Sequence, residues 1–135
     1  METNVFAGIL AMAVCIVLSA YFSATETAFS SLNKTRIKAM AEKGDRRAEL
    51  THRLAEDYDR LISTILIGNN IVNIAVASIG TLLFVEAYGD IGATLSTVVV
   101  TIVVLIFGEI TPKSIAKDFP ERFAMFSAPY INIMI

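Results

Sequence analysis

The chain has 135 residues, 55% of them hydrophobic, with a mean hydropathy of +0.63 and a formal net charge of −2. So apolar a chain of this length is not an ordinary water-soluble domain, and a membrane protein is the first expectation. The single Cys15 sits inside an apolar run without an intrachain partner, which excludes a disulfide scaffold and leaves a small buried apolar role. Tryptophan is absent, so Tyr21, Tyr88 and Tyr130 are the candidates for interfacial anchors.

Taken in chain order, residues 5–25 (VFAGILAMAVCIVLSAYFSAT) carry no charge. As a helix they are long enough to cross a hydrocarbon core of roughly 30 Å. A cleaved signal peptide fits poorly, because no basic residue precedes the run and it continues into ETAFSSL. The first span is therefore placed at 5–31. The linker 33–60 is expected to be helical with a break at Gly44-Asp45. Leu50, Leu54 and Leu61 lie close to one face, opposite Arg46, Arg47, Arg53 and Glu56, and the charges read as a solvated face near anionic headgroups. His52, without further metal-type ligands around it, is expected at the surface. A second span is expected at 61–85 and a third at 91–111, separated by the short EAYGD connection with Gly89 and Asp90 as turn residues.

Residues 119–135 (FPERFAMFSAPYINIMI) space Phe119, Phe123, Phe126 and Tyr130 three or four apart. This pattern predicts an amphipathic juxtamembrane helix on the cytoplasmic surface. The apolar ending INIMI predicts that further cytoplasmic sequence follows residue 135. All eleven Lys and Arg fall in 34–60 and 113–122. The positive-inside rule then places the N-terminus outside and both basic segments, with the C-terminus, in the cytoplasm. The expected class is an all-α membrane protein: a single transmembrane domain over 1–135 with three transmembrane helices plus cytoplasmic juxtamembrane helices.

Three polar clusters interrupt the spans: SATETAFSS in the first, GNNIVN in the second and GEITPK at the end of the third. On a helix Ser23, Glu26 and Ser30 share one face, and Asn73 shares a face with both Asn69 and Asn70. Serines and threonines often bond back to their own helix, and one asparagine suffices as glue between helices, worth roughly 0.6–2 kcal/mol. Three asparagines within five residues, Asn69, Asn70 and Asn73, exceed that need. Pro112 adds a backbone argument. It has no N–H, so in a regular helix the carbonyl of Gly108 loses its partner, directly beside the Glu109 carboxylate. The resulting inventory is oxygen donors with one or two negative charges and no His or Cys pair. That disfavours zinc, copper and iron–sulfur centres and leaves Mg2+, Ca2+, Na+ or a proton open.

The segments SATETAFSSL, GNNIVNI and GEITPKSIA, in this order and spacing, resemble the transmembrane domain of the CNNM/CorC family of magnesium transporters. The resemblance implies a homodimeric domain in the cell membrane that exports Mg2+, with Na+ entry as the coupled flux. It implies a Mg2+ site between the three helices, open to the cytoplasm, with Ser23, Asn70, the Gly108 carbonyl and Glu109 as ligands. Glu26, Asn73 and Pro112 are then supporting or Na+-site candidates. Family members usually continue into a cytoplasmic module that binds adenine nucleotide; residues 1–135 do not contain it, so no nucleotide regulation is carried over. A passive cation channel and a non-transporting dimeric membrane anchor are the alternatives. Without a nucleophile–base pair or a phosphate-binding loop the chain is not expected to be an enzyme, and no nucleic-acid partner is expected.

Overall fold

A computed structural model describes residues 2–134, and among them every regular element is helical. The long elements are α1 (Glu2–Ser31), α4 (Tyr58–Tyr88) and a helical run made of α5 (Gly92–Val103), a π-helical segment (Val104–Ile110) and α6 (Thr111–Asp118). Between them lie the short α2 (Lys34–Glu42) and α3 (Arg46–Glu56), and α7 (Pro120–Met134) follows. The first long helix from Val5 and the run Tyr58–Asp118 are long and apolar enough to cross a membrane.

The long helices alternate in direction. Gly8 of α1 faces Leu83 of α4, Phe22 faces Gly68, and Ser30 hydrogen-bonds Tyr58. Gly80 of α4 in turn faces Ser96 and Val100 of α5. The reversal between α4 and α5 is a single 3-10 turn, Gly89–Ile91, within the EAYGDI stretch, entered through Gly89 at a φ of 73°. Close approach there requires Gly92 as well, since a β-carbon would fall 2.3 Å from the Phe84 carbonyl oxygen. This order brings both basic segments, 34–60 and 113–122, to one end of the bundle and the Gly89 turn to the other.

The linker breaks at Gly44-Asp45 as expected. Asn33 caps α2 by accepting from the Arg36 N–H (3.1 Å), and Asp45 caps α3 by accepting from the Arg47 and Ala48 N–H groups (3.0 and 3.1 Å). A second break at Asp57, unmarked by any Gly or Pro, starts α4 three residues before the expected 61. Leu54 and Leu61 are buried and Leu50 is partly so, while His52 pairs with Glu56 one turn on (3.1 Å).

The packed core lies at the basic end, where α7 packs on the end of α1 and on α3, and α3 packs on α2, the three short helices forming a collar there. Phe29, Ile37, Leu61, Ile65 and Ile131 are fully shut off there. Each such side chain is worth about 1.5–3 kcal/mol where the alternative is water. By contrast the first half of α1 shows Phe6, Ile9, Leu10, Val14 and Val17 on its outside, which lipid tolerates and water does not.

The last segment, α7, divides its two faces by side-chain size. On α7 the buried face is the small one, Ala124, Ser127, Ala128 and Ile131, and the Tyr21 hydroxyl donates to the Ser127 carbonyl at 3.0 Å. Phe119, Phe126 and Tyr130 point outward, with only Phe123 partly covered. A soluble helix would turn such an aromatic row inward; beside a membrane it belongs outside. Ile135, the last residue of the predicted segment, lies outside the described residues.

Candidate cation site

Small and polar residues line the seam where α1, α4 and the π segment meet. Ser19, fully buried on α1, directs its hydroxyl at two asparagine oxygens of α4, Asn69 Oδ1 at 3.1 Å and Asn73 Oδ1 at 3.0 Å. One hydroxyl proton thus serves two strong acceptors, so three oxygen atoms share a single hydrogen. Gly108 closes another side: a β-carbon there would lie 3.1 Å from Ser19 Oγ, closer than side chains normally pack. Glycine is what lets the third long helix approach the serine.

One turn further along the same face of α1 lies Ser23. It is 1% exposed, and its Oγ has no hydrogen-bond partner. Its neighbours follow the ordinary rule: Thr25 donates to the Tyr21 carbonyl (2.7 Å), and Ser127 and Thr97 likewise bond four residues back. A buried hydroxyl left without a partner costs about 1–3 kcal/mol, so its persistence calls for a group that is not part of the chain.

The backbone beside Gly108 is irregular in a way the proline explains. Thr111 N–H donates to the Ile106 carbonyl, five residues back, rather than to Phe107, and Pro112 has no N–H to offer Gly108. Neither the Phe107 nor the Gly108 carbonyl therefore receives the amide that a regular helix would supply. The wide turn also gives the proline ring room where a regular turn would drive it against Gly108. Pro112 itself is the second residue of α6, where the ring is well tolerated. The sequence pointed to one freed carbonyl, and the widened turn adds the one before it.

The remaining predicted residues are less enclosed. Asn73 joins the Ser19 layer, but Asn70 lies on the exposed side of α4 and Glu109 is half-buried beside Gly108. Glu26 is half-buried, and its backbone carbonyl accepts from Ser30 Oγ at 2.8 Å. Neither carboxylate, nor the Asn70 amide, has a hydrogen bond or ion pair among the described residues. No group of three or more His, Cys, Asp or Glu side chains suited to a metal occurs among the described residues. The donors at hand are hydroxyl, amide and carbonyl oxygens with isolated carboxylates, a set for hard cations. Ser19 and Asn69 were not singled out as ligands from the sequence. The available signal was spacing, since Ser19 precedes Ser23 by four residues and so shares its face.

Comparison with known proteins agrees with this architecture. Residues 10–135 match the family model of the Cyclin M transmembrane N-terminal domain. The inner membrane protein YfjD of Escherichia coli is 47% identical over 107 residues, 79% of this chain and 25% of YfjD. A UPF0053 protein of Haemophilus influenzae is 41% identical over 122 residues, 90% of this chain and 29% of that protein. A second Haemophilus influenzae relative, named a polyamine export protein, is 29% identical over 145 residues, 98% of this chain and 34% of its own length. The chain thus spans between a quarter and about a third of these relatives. It belongs to the CNNM family, as a form of that family's transmembrane domain.

Proposed function

We propose that this chain is the transport domain of a Mg2+ exporter, a carrier rather than an enzyme, working as a homodimer with Na+ as the counter-ion. It would sit in the cell membrane with its N-terminus outside, and the gathering of both basic segments at one end of the bundle supports that orientation. The observation that carries the proposal is an excess of oxygen over hydrogen along the seam. Ser19 has one proton for two asparagine oxygens, Ser23 Oγ has no partner, and the Phe107 and Gly108 carbonyls lack their helical amides. A cation satisfies such an array and a further hydrogen-bond acceptor does not.

In this reading Glu109 supplies the charge that draws the ion in, and Ser23, Asn70 and the Gly108 carbonyl supply neutral oxygens. Asn73, Glu26 and Pro112 hold these groups in place or serve Na+. Transport requires the seam to open alternately to the two sides, and the π segment, with fewer backbone bonds holding it, is the natural place for that change.

The test is calorimetric titration of Mg2+ into the detergent-purified domain, with Ca2+ as competitor and Glu109→Gln alongside. Saturable binding in the parent chain that falls at least tenfold in the variant is expected from loss of a charged ligand. Undiminished affinity in Glu109→Gln would remove this assignment. In vesicles, flux that neither saturates nor responds to Na+ would identify a passive channel instead. The name of the polyamine export relative gives a second reading, an organic polycation as substrate, favoured by two half-buried carboxylates, Glu26 and Glu109, carried on different helices. Spermidine titrated in place of Mg2+ separates the two.

A further inference from the structure

We propose that the collar holds an anionic phospholipid, its phosphate on Arg47 and Arg122 and an acyl chain in the groove between α1, α6 and α7. Two adjoining cavities carry this inference. The first, of about 440 Å3, lies among α2, α3 and α7, with Arg47, Arg122 and Glu121 at its rim and Met40, Met125 and Phe126 lining the rest. Neither guanidinium has a hydrogen bond or ion pair among the described residues. The one acid of the cavity, Glu121, is committed to Arg36 at 3.3 Å. The cavity therefore presents two free cations above an apolar floor, which suits a phosphate attached to something greasy.

The second cavity, of about 330 Å3, is almost wholly apolar and runs along Val17, Ala20 and Ala24 of α1 against Pro112 and Ile115 of α6. Phe126 lines both, so the two meet at a single side chain. Charge at one end, a hydrocarbon-lined trough at the other and a shared wall match the amphipathic shape of a phospholipid, whereas a free anion would use only the first. The row formed by the partly covered Phe123 and the outward Phe126 and Tyr130, with neighbouring ring centres 5.9 Å apart, borders the same place and suits the headgroup level of a bilayer. The trough passes Thr111 and Pro112, at the end of the π segment, so an occupied groove would brace the irregular part of the cation site. This inference concerns lipid and stands whether or not the transported ion is Mg2+.

The experiment is native mass spectrometry of the detergent-purified domain, titrated with phosphatidylglycerol or phosphatidylcholine. The variants are Arg47→Gln/Arg122→Gln, the charge-matched control Arg46→Gln/Arg53→Gln, and Ala20→Phe, which fills the trough. The parent chain should retain phosphatidylglycerol in preference to phosphatidylcholine. The first pair should weaken that retention roughly thirtyfold, as two basic contacts at a membrane surface predict, and the control pair should leave it near the parent value. Ala20→Phe should weaken both lipids, and excess inorganic phosphate should not displace phosphatidylglycerol. Equal losses in the two arginine pairs would reduce the effect to diffuse attraction and overturn the site. Full displacement by phosphate would make it an anion site without a chain. A cross-link between copies of Phe126→Cys, made with Cys15→Ala, that lipid does not suppress would give the groove to a second copy instead.

Discussion

Ser19 and Ser23 stand one turn apart on the same face of α1, and both are sealed from solvent. At Ser19 the neighbouring helix supplies two asparagine oxygens and the third long helix leans in through Gly108. At Ser23 the hydroxyl meets nothing it can bond. The first layer joins the helices through bonds already made, with one proton shared among three oxygens. The second is a polar group that folding alone does not justify, and it lies toward the end where Glu26 and the basic collar begin. The pair separates what holds the seam together from what the seam holds.

That division is broken most forcefully at Gly108. In Gly108→Val the first carbon of the new side chain already meets Ser19 Oγ at 3.1 Å, Ser19 Cβ at 3.5 Å and Val104 Cγ1 at 3.6 Å, and two methyl groups must be added beyond it. Overpacking of this kind costs about 1–3 kcal/mol. Displacing Ser19 from Asn69 and Asn73 adds to it. Thermal unfolding in detergent should show a clear loss of stability, and Mg2+ binding should go with it. An unchanged midpoint would mean that the π segment does not press on α1 at this point.

The serines themselves sharpen the comparison, because alanine should act on them in opposite ways. Ser19→Ala leaves two partly buried asparagine oxygens without their donor and should destabilise the domain by about 1–2 kcal/mol. Ser23→Ala removes a hydroxyl that has no partner, so stability should hold or rise slightly while Mg2+ affinity drops on the order of tenfold. Thermal midpoints and titration on the same two preparations give four readings, and only the crossed pattern supports separate roles. Equal destabilisation by both would return Ser23 to the packing of the seam.

Much of this was legible in the residues. Three apolar stretches, a Gly-Asp turn and two basic segments led directly to the helical architecture, and Pro112 pointed to a disturbed backbone around Gly108. Other features needed three dimensions. Ser19 is the first hydroxyl residue of a charge-free run, where a small residue reads as close packing. Which of Asn69 and Asn70 faces α1 depends on helix phase, which the pattern GNN does not fix. The break at Asp57 was hidden because EDYD contains neither Gly nor Pro. The aromatic row of α7 followed a period that reads the same whether the face is packed or turned to lipid. Here Ala124, Ser127 and Ala128 took the packed side because they let α7 lie close to its neighbours.

The collar offers the mildest and most local test of the same division between structure and ligand. Tyr21 is two residues from each serine and reaches away from the seam, its hydroxyl donating to the Ser127 carbonyl of α7. Tyr21→Phe keeps the ring, and its edge-on contact with Phe22 (ring centres 5.7 Å apart), and deletes only that bond. The expected cost is about 1 kcal/mol, the net worth of one neutral hydrogen bond. Hydrogen exchange should show it as faster opening of α7 with α4 and α5 unchanged, and Mg2+ affinity should stay at the parent value. Should Mg2+ affinity fall together with the protection of α7, the collar would be part of the ion's surroundings, and the boundary drawn between Ser19 and Ser23 would have to move outward to include it.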